Sequence, residues 1–152
     1  MDLIKLHKIK EFALEQMDKW GIDDWKFVWD TRAVRRYGQC RYRRKEIGIT
    51  KVLANLNTIE ETKDVVLHEI AHALTGPGHG HDHVWKRMCR QVGARPERCY
   101  KSEDKGGTVK TTKGKYKLVN KDTGKVYRYY YRRPRTRNWD GVWLQGKKQE
   151  TE

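Results

Sequence analysis

Apolar residues recur at helical spacing near the start of the chain. Leu6, Ile9, Ala13 and Met17 fall on one helix face. Gly21 follows at a position where helices commonly end. The pattern predicts an amphipathic helix over residues 3–20 whose apolar face is turned toward a core.

The pattern then changes to alternation, which is typical of half-buried strands. In "WKFVW", Trp25, Phe27 and Trp29 fall on one side. The stretches "GQCRYRR" and "EIGIT" predict two further short strands that are separated by a basic turn. We therefore expect a small sheet of three strands after the first helix.

Helical periodicity returns in "NTIEETKDVVLHEIAHALTG", which ends at Gly76. Asn57 or Thr58 can cap the start of this helix, and the glycine stops it. A glycine–histidine loop follows, and a shorter helix is predicted from about Asp82 to Gln91. This order of elements indicates an α+β fold.

The composition changes after Cys99. Residues 100–152 hold 15 Lys+Arg and 6 Asp+Glu, whereas residues 1–99 hold 19 and 14, so the tail carries +9 of the net +14. We divide the chain into a domain, 1–99, and a basic tail, 100–152, with a β-hairpin that turns at "KDTG". Such a charge density predicts a polyanionic partner, DNA or RNA, although a merely soluble cationic surface is the alternative.

Two classes of protein are disfavoured by the sequence. No apolar run of 18 residues is present, so we expect no membrane span, and charges interrupt the N-terminal segment where a signal peptide would be apolar. The three cysteines form no C-x-x-C pair, so neither a disulfide framework nor a zinc–thiolate site is expected. We expect an intracellular, cytoplasmic protein with free thiols, and we favour a monomer.

The stretch "VVLHEIAHAL" carries the candidate chemistry. His68 and His72 lie four residues apart, so a helix directs both imidazoles toward one metal ion. Glu69 lies one position round the helix and can take a proton from a water that zinc has acidified to a pKa of about 7. A purely structural role is disfavoured, because burying unpaired His and Glu side chains in this apolar helix would be costly.

A catalytic zinc ion needs a third protein ligand and an open fourth position. The long metzincin motif would require Gly at 75 and His at 78, but the chain has Thr75 and Gly78. The spacing alone leaves four candidates, which are His79, His81, His83 and Glu97.

The stretch "LHEIAHALTGPGHGHDHVWKRM" resembles the SprT-like family, the zinc-protease domain of bacterial SprT and eukaryotic Spartan proteins. That family places its third histidine four residues before a Trp or Phe that starts a helix, as His81 stands before Trp85 here. The resemblance implies one Zn²⁺ held by His68, His72 and His81, with Glu69 as general base. It also implies a zincin-like SprT domain over residues 1–99, in the compact format of short phage and bacterial members.

Family members commonly end in a zinc ribbon with two C-x-x-C knuckles. Asn120 and Thr123 stand in the cysteine positions of the first knuckle, and Val142 and Gln145 in those of the second, so a tail zinc is not expected. In "KVYRYYYRRPRTRNW" we expect the tyrosines to form the core of the tail, although they could also stack on bases. The arginines expected to contact nucleic acid are Arg128, Arg132, Arg133, Arg135 and Arg137.

These features predict a zinc-dependent metallopeptidase whose basic tail tethers it to DNA or RNA. The resemblance implies substrates such as proteins bound or crosslinked to DNA, so we expect nucleic-acid-associated proteins as targets. If "EIGIT" edges the sheet beside the zinc, it would pair with the extended substrate. The alternatives are a nucleic-acid-binding protein with a structural or dormant zinc site, and a zinc hydrolase of non-peptide amides. The intact Glu69 favours an enzyme.

Overall fold

The computed structural model describes residues 1–97, 102–103 and 106–132, together with the backbone of the strand at 142–146. Its α+β class confirms the prediction. The helices are α1 (Leu3–Lys19), α2 (Lys51–Leu56), α3 (Ile59–Thr75) and α4 (His83–Val92). The strands are β1 (Lys26–Asp30), β2 (Gly38–Arg41), β3 (Glu46–Thr50), β4 (Tyr116–Asn120), β5 (Val126–Tyr130) and β6 (Val142–Gly146).

The chain forms two compact units, Met1–Thr111 and Thr112–Glu152. The division therefore lies later than the change in composition after Cys99. Residues just before it are tied to the first unit: the Lys110 amide donates to Asn57 Oδ1 at 2.7 Å, and Asn57 Nδ2 donates to the Lys110 carbonyl at 2.9 Å. Val109, which precedes Lys110, is buried.

The first unit is built around α3. Helix α1 begins after Asp2, whose side chain accepts a hydrogen bond from the Lys5 amide, and it packs against α3. The buried residues of α1 are those that the periodicity predicts, Leu6, Ile9, Ala13 and Met17.

The sheet of the first unit has the order β1-β3-β2, with β1 parallel and β2 antiparallel to β3. Strand β3, the stretch "EIGIT", is therefore central, so the edge position on which its pairing with a peptide depends is not met. Ile47 and Ile49 are fully buried, as the near-continuous burial of an interior strand requires. Strand β2 forms the edge and contacts α3.

Helix α2 was not predicted from the sequence. Its six residues are too few for a periodic signal. A distant side chain supports its C-terminal end, because Lys5 Nζ donates to the carbonyls of Asn55 at 2.9 Å and Asn57 at 2.6 Å. Cations stabilise a helix C-terminus in this way.

The ends of α3 and α4 follow local capping signals. Thr58 Oγ1 accepts a hydrogen bond from the Glu61 amide, and α3 ends at Gly76 with φ 90°. Asp82 Oδ1 accepts from the amides of Val84 and Trp85 at the start of α4. No helix in the described part of the chain is long and apolar enough to cross a membrane.

The second unit contains a sheet of the order β5-β4-β6, in which all pairs are antiparallel. The predicted hairpin, β4–β5, thus gains a third strand. Asn120 Oδ1 accepts hydrogen bonds from the amides of Asp122 and Thr123, both at 2.9 Å. An amide oxygen therefore holds the turn at the position where a knuckle would have its first cysteine.

Candidate active site

A pocket of about 600 Å³ opens in the first unit beside β2. His68, Glu69 and His72 reach it from α3, and His81 reaches it from the loop between α3 and α4. The fold thus brings together the four side chains to which the sequence assigned the chemistry.

The buried indole of Trp85 packs against all three imidazoles. Its ring centroid lies 4.8 Å from that of His68, 5.0 Å from that of His72 and 4.6 Å from that of His81. The His72 and His81 centroids are 4.9 Å apart, and two imidazoles on one tetrahedral zinc ion would stand about 5 Å apart.

Burial favours the neutral form of two of the imidazoles. Desolvation, with the nearby imidazoles of His81 and His68, lowers the pKa of His72 to about 4. Desolvation also lowers the pKa of His68, against the charge of Asp64. Neutral imidazole is the form that binds a metal ion.

The residues fit zinc in their donor chemistry, since three imidazoles and an adjacent carboxylate share one pocket. Among the described residues, no group of three or more His, Cys, Asp or Glu side chains is arranged so that it could hold a metal ion. The ligand set therefore stays a prediction.

The other candidates for third ligand do not line this pocket. His79 Nδ1 lies 3.0 Å from Asp82 Oδ2, in contact with the capping residue of α4. His83 is the first residue of α4. Glu97 contributes a main-chain hydrogen bond to His68.

Glu69 is partly exposed toward the pocket, yet protein surrounds most of its carboxylate. Desolvation raises its pKa to about 7, against the positive charge of Arg36. A carboxylate with this pKa accepts and returns a proton near neutral pH, which suits a general base.

Glycine at position 38 leaves room for this carboxylate. A Cβ at Gly38 would stand 2.8 Å from Val65 Cγ1 and 3.0 Å from Glu69 Oε1. The edge strand therefore passes directly beside the base. Sequence reasoning did not single out Gly38, because the close approach depends on how β2 and α3 pack.

Sequence reasoning also missed a support for His68. Asp64 lies one turn earlier on α3. Its carboxylate accepts two hydrogen bonds from Arg95, one from the amide at 3.0 Å and one from Nε at 3.1 Å. The main chain of Arg95 in turn hydrogen-bonds His68. Groups of this kind orient metal-binding histidines. The only sign of this support in the sequence was the i, i+4 spacing of Asp64 and His68.

Two further polar side chains line the pocket at β2 and just after it. The Tyr42 hydroxyl donates to the His72 carbonyl at 3.0 Å, and desolvation raises the pKa of this phenol, so it stays protonated. Burial and the charge of Glu69 raise the pKa of the Cys40 thiol to about 12. Cys40 is therefore a neutral wall residue at neutral pH.

Of the five predicted nucleic-acid contacts in the tail, Arg128 and Arg132 are described and exposed, and Arg128 lies 5.0 Å from the ring centroid of Tyr130. Arg133, Arg135 and Arg137 lie outside the described residues.

The expected tyrosine core of the tail is wrong for Tyr127 and Tyr129, which are 51% and 40% exposed. Lys125 Nζ lies 5.9 Å from the first ring and Lys113 Nζ 5.3 Å from the second. These two rings point to the same side of β5.

Comparison with known proteins gives one family. The model of the SprT-like family matches residues 6–106, about two thirds of the chain. Among solved structures, the chain is similar to the metallopeptidase zymogen jannalysin of Methanocaldococcus jannaschii, with 16% identity and a TM-score of 0.43. That match covers 64% of this chain and 86% of the other. No curated protein matches significantly.

Proposed function

Because the chain belongs to the SprT-like family, we propose that it is a zinc-dependent metallopeptidase that acts on proteins associated with nucleic acid. One observation carries the proposal. His68, His72, His81 and Glu69 line a single pocket beside an edge strand, which joins a metal-binding donor set, a base and a strand that can receive a peptide.

His68, His72 and His81 are the proposed zinc ligands. A bound zinc ion would act as a Lewis acid toward the scissile carbonyl and lower the pKa of a water at the site to about 7. Trp85 keeps the imidazoles close together, and Asp64 fixes the main chain that holds His68. The low pKa of His72 keeps protons from competing for its ring.

Glu69 is the proposed general base. Its carboxylate accepts a proton from the water that attacks the scissile carbonyl carbon. The same carboxylate then delivers this proton to the amine nitrogen that leaves. Desolvation raises the pKa of Glu69 to about 7 in the metal-free protein. A bound zinc ion would favour the carboxylate form, which is the form that accepts the proton.

The substrate is proposed to bind as an extended strand along β2. Gly38, Gln39 and Cys40 line the pocket, and β2 is an edge strand. Main-chain hydrogen bonds at an edge hold a peptide with little regard to its sequence. Since Gly38 lies against Glu69, this pairing brings the peptide backbone past the base.

The basic tail is proposed to bind DNA or RNA, which would concentrate the enzyme on nucleic-acid-associated proteins. Exposed tyrosines flanked by lysines favour single strands, because unpaired bases stack on aromatic rings while cations contact phosphates. The same surface also favours a second candidate, a nucleic-acid-binding protein whose zinc site is structural or dormant.

Replacing Glu69 with Gln distinguishes the two candidates. The zinc-loaded variant should keep its metal but lose about 10²-fold or more in peptide hydrolysis, the usual scale for a general base. Glu60→Gln, an exposed change in the first turn of the same helix, should hydrolyse at the wild-type rate. Hydrolysis by Glu69→Gln at the wild-type rate, or no hydrolysis by the wild type, would refute the peptidase.

A further inference from the structure

The pocket has an uneven distribution of charge. Among the described residues that line it, the ionic side chains besides the imidazoles are Arg35, Arg36 and Glu69. Both arginines are exposed at the pocket, and the charge of Arg36 reaches Glu69, where it favours the carboxylate. With a divalent cation bound, this end of the pocket would be strongly positive and would attract an anionic group.

The backbone beneath these arginines is held firmly, whereas their side chains face solvent. Thr50, which is 1% exposed, donates from Oγ1 to the Arg36 carbonyl and from its amide to the Tyr37 carbonyl. Tyr37 is buried and hydrogen-bonds Thr62 on α3 at 2.7 Å. Because this backbone is already fixed, ligand binding has to order only the two arginine side chains, which lowers the entropic cost of recognition.

The direction of β2 decides which part of a peptide meets the arginines. The more stable pairing at this edge is antiparallel, so a bound peptide would run opposite to the Gly38–Arg41 strand. Gly38 is level with Glu69, and Arg35 and Arg36 precede it in the chain. The peptide residues opposite them would therefore follow the scissile bond.

We propose that Arg35 and Arg36 form a carboxylate-binding subsite that selects peptides with an acidic group just C-terminal to the scissile bond. This group is an Asp or Glu side chain or the terminal carboxylate of a short product segment. Guanidinium suits either source, because its planar donors match a carboxylate in a bidentate fashion. The inference rests on the proposed peptidase function.

The test uses the zinc-loaded full chain and peptides that differ only at the first two positions after the cleaved bond, carrying Asp, Asn or Lys. Wild-type kcat/KM should be about 10-fold higher for Asp than for Asn, the scale of one charge-assisted contact. A second pair of Asn peptides, with a free or an amidated C-terminus, distinguishes the side chain from the terminal carboxylate as the ligand. A preference in either pair supports the subsite.

Charge reversal provides the decisive variant. Arg35→Glu and Arg36→Glu should invert the ratio of the Asp to the Lys peptide, whereas a general loss of activity would leave that ratio unchanged. Arg32→Glu is the matched control, since Arg32 is exposed in the same segment but does not line the pocket. It should keep the wild-type ratio.

Three negative results are distinguishable. The first is cleavage that depends on Glu69 but shows no preference between the Asp and Asn peptides or between the two C-termini. If wild type and the reversed variants both behave in this way, the subsite alone is overturned. If the reversed variants lose only affinity for single-stranded DNA, the arginines contact phosphates and the subsite is likewise overturned. Absence of Glu69-dependent cleavage of any peptide would overturn the proposed function and the subsite together.

Discussion

Gly38 of the edge strand lies directly against Glu69 of α3. A Cβ at position 38 would stand 3.0 Å from both Cγ and Oε1 of Glu69. Few real Cβ contacts are this close, so any side chain at 38 forces the base or the strand to move. The close approach therefore joins the proposed base to the strand proposed to bind substrate.

We expect Gly38→Ala to lower kcat of the zinc-loaded protein about 10-fold or more, because small displacements of a catalytic group are costly. Peptide kinetics and zinc content measure the effect. Gly48→Ala is the control: a Cβ there would meet the Asp30–Arg41 ion pair, 2.5 Å from Asp30 Oδ2, rather than the pocket. It should cost stability but keep kcat. Equal kcat in wild type and Gly38→Ala would show that the base tolerates the displacement.

The third zinc ligand can be tested by removing one imidazole at a time. His81→Ala should reduce zinc affinity far more than His79→Ala or His83→Ala, because His81 alone of the three lines the pocket with His68 and His72. Competition against a chelating indicator measures the affinity without reference to activity. A larger loss in His79→Ala would assign the third ligand to His79 instead.

The sequence predicts those parts of the fold and site that depend on neighbouring residues. The ends of α3 and α4 follow from Thr58, Gly76 and Asp82, because capping uses groups within a few residues of each other. His68, Glu69 and His72 share one helix face for the same reason.

Features set by packing between distant segments could not be predicted. The position of β3 at the centre depends on β1 pairing parallel to it, and strand order is not encoded in local alternation. The close contact of Gly38 with Glu69 and the hydrogen bond from Arg95 to Asp64 also join segments that are distant in the sequence. The exposure of Tyr127 depends on how large a hydrophobic core the tail forms, and the alternation of residues along one strand does not predict the size of that core.

Asp64 should act as a positioning residue for the zinc site. Asp64→Ala removes both hydrogen bonds to Arg95, which frees the main chain that holds His68. We expect zinc affinity to fall about 10-fold, the lower end for groups that orient a metal ligand. Glu61→Gln is the control, since Glu61 meets Arg95 at its guanidinium, at 3.4 Å, and not at its main chain; its other carboxylate oxygen accepts from Thr108 Oγ1. Equal losses in the two variants would mean that Arg95 matters through its charge alone.

Ionising Glu69 should destabilise the metal-free protein. Its pKa rises from 4.5 to about 7 on folding. The stability that this group contributes is therefore complete below pH 4.5 and is lost as the pH rises through 7. Glu69→Gln does not ionise, so its stability relative to wild type should increase by on the order of 2 kcal/mol between pH 5 and pH 8.

Urea unfolding in the presence of a chelator measures this difference at the two pH values. The acid-induced losses from His68 and His72 occur in both proteins and cancel in the comparison. A constant difference across the pH range would show that Glu69 is solvated and has an ordinary pKa.

Binding of the tail to nucleic acid should be mainly electrostatic. Each phosphate that is neutralised on a single strand contributes about 0.7 to the slope of log K against log salt. Gln replacements should weaken binding to a single-stranded oligonucleotide and reduce this slope by about 3.5 if each of the five cations contacts a phosphate. The cations to be replaced together are Arg128, Arg132, Arg133, Arg135 and Arg137.

A matched control removes the same charge from the first unit. Its Gln replacements are at the exposed positions Lys8, Lys10, Lys86, Arg87 and Arg90. Both variants change the net charge of +14 equally, so an effect of total charge would reduce the salt slope equally in both. Because the proposed zinc site lies in the first unit, the tail variant should still hydrolyse a short neutral peptide at the wild-type rate. A larger loss of binding in the control variant would locate the nucleic-acid surface in the first unit.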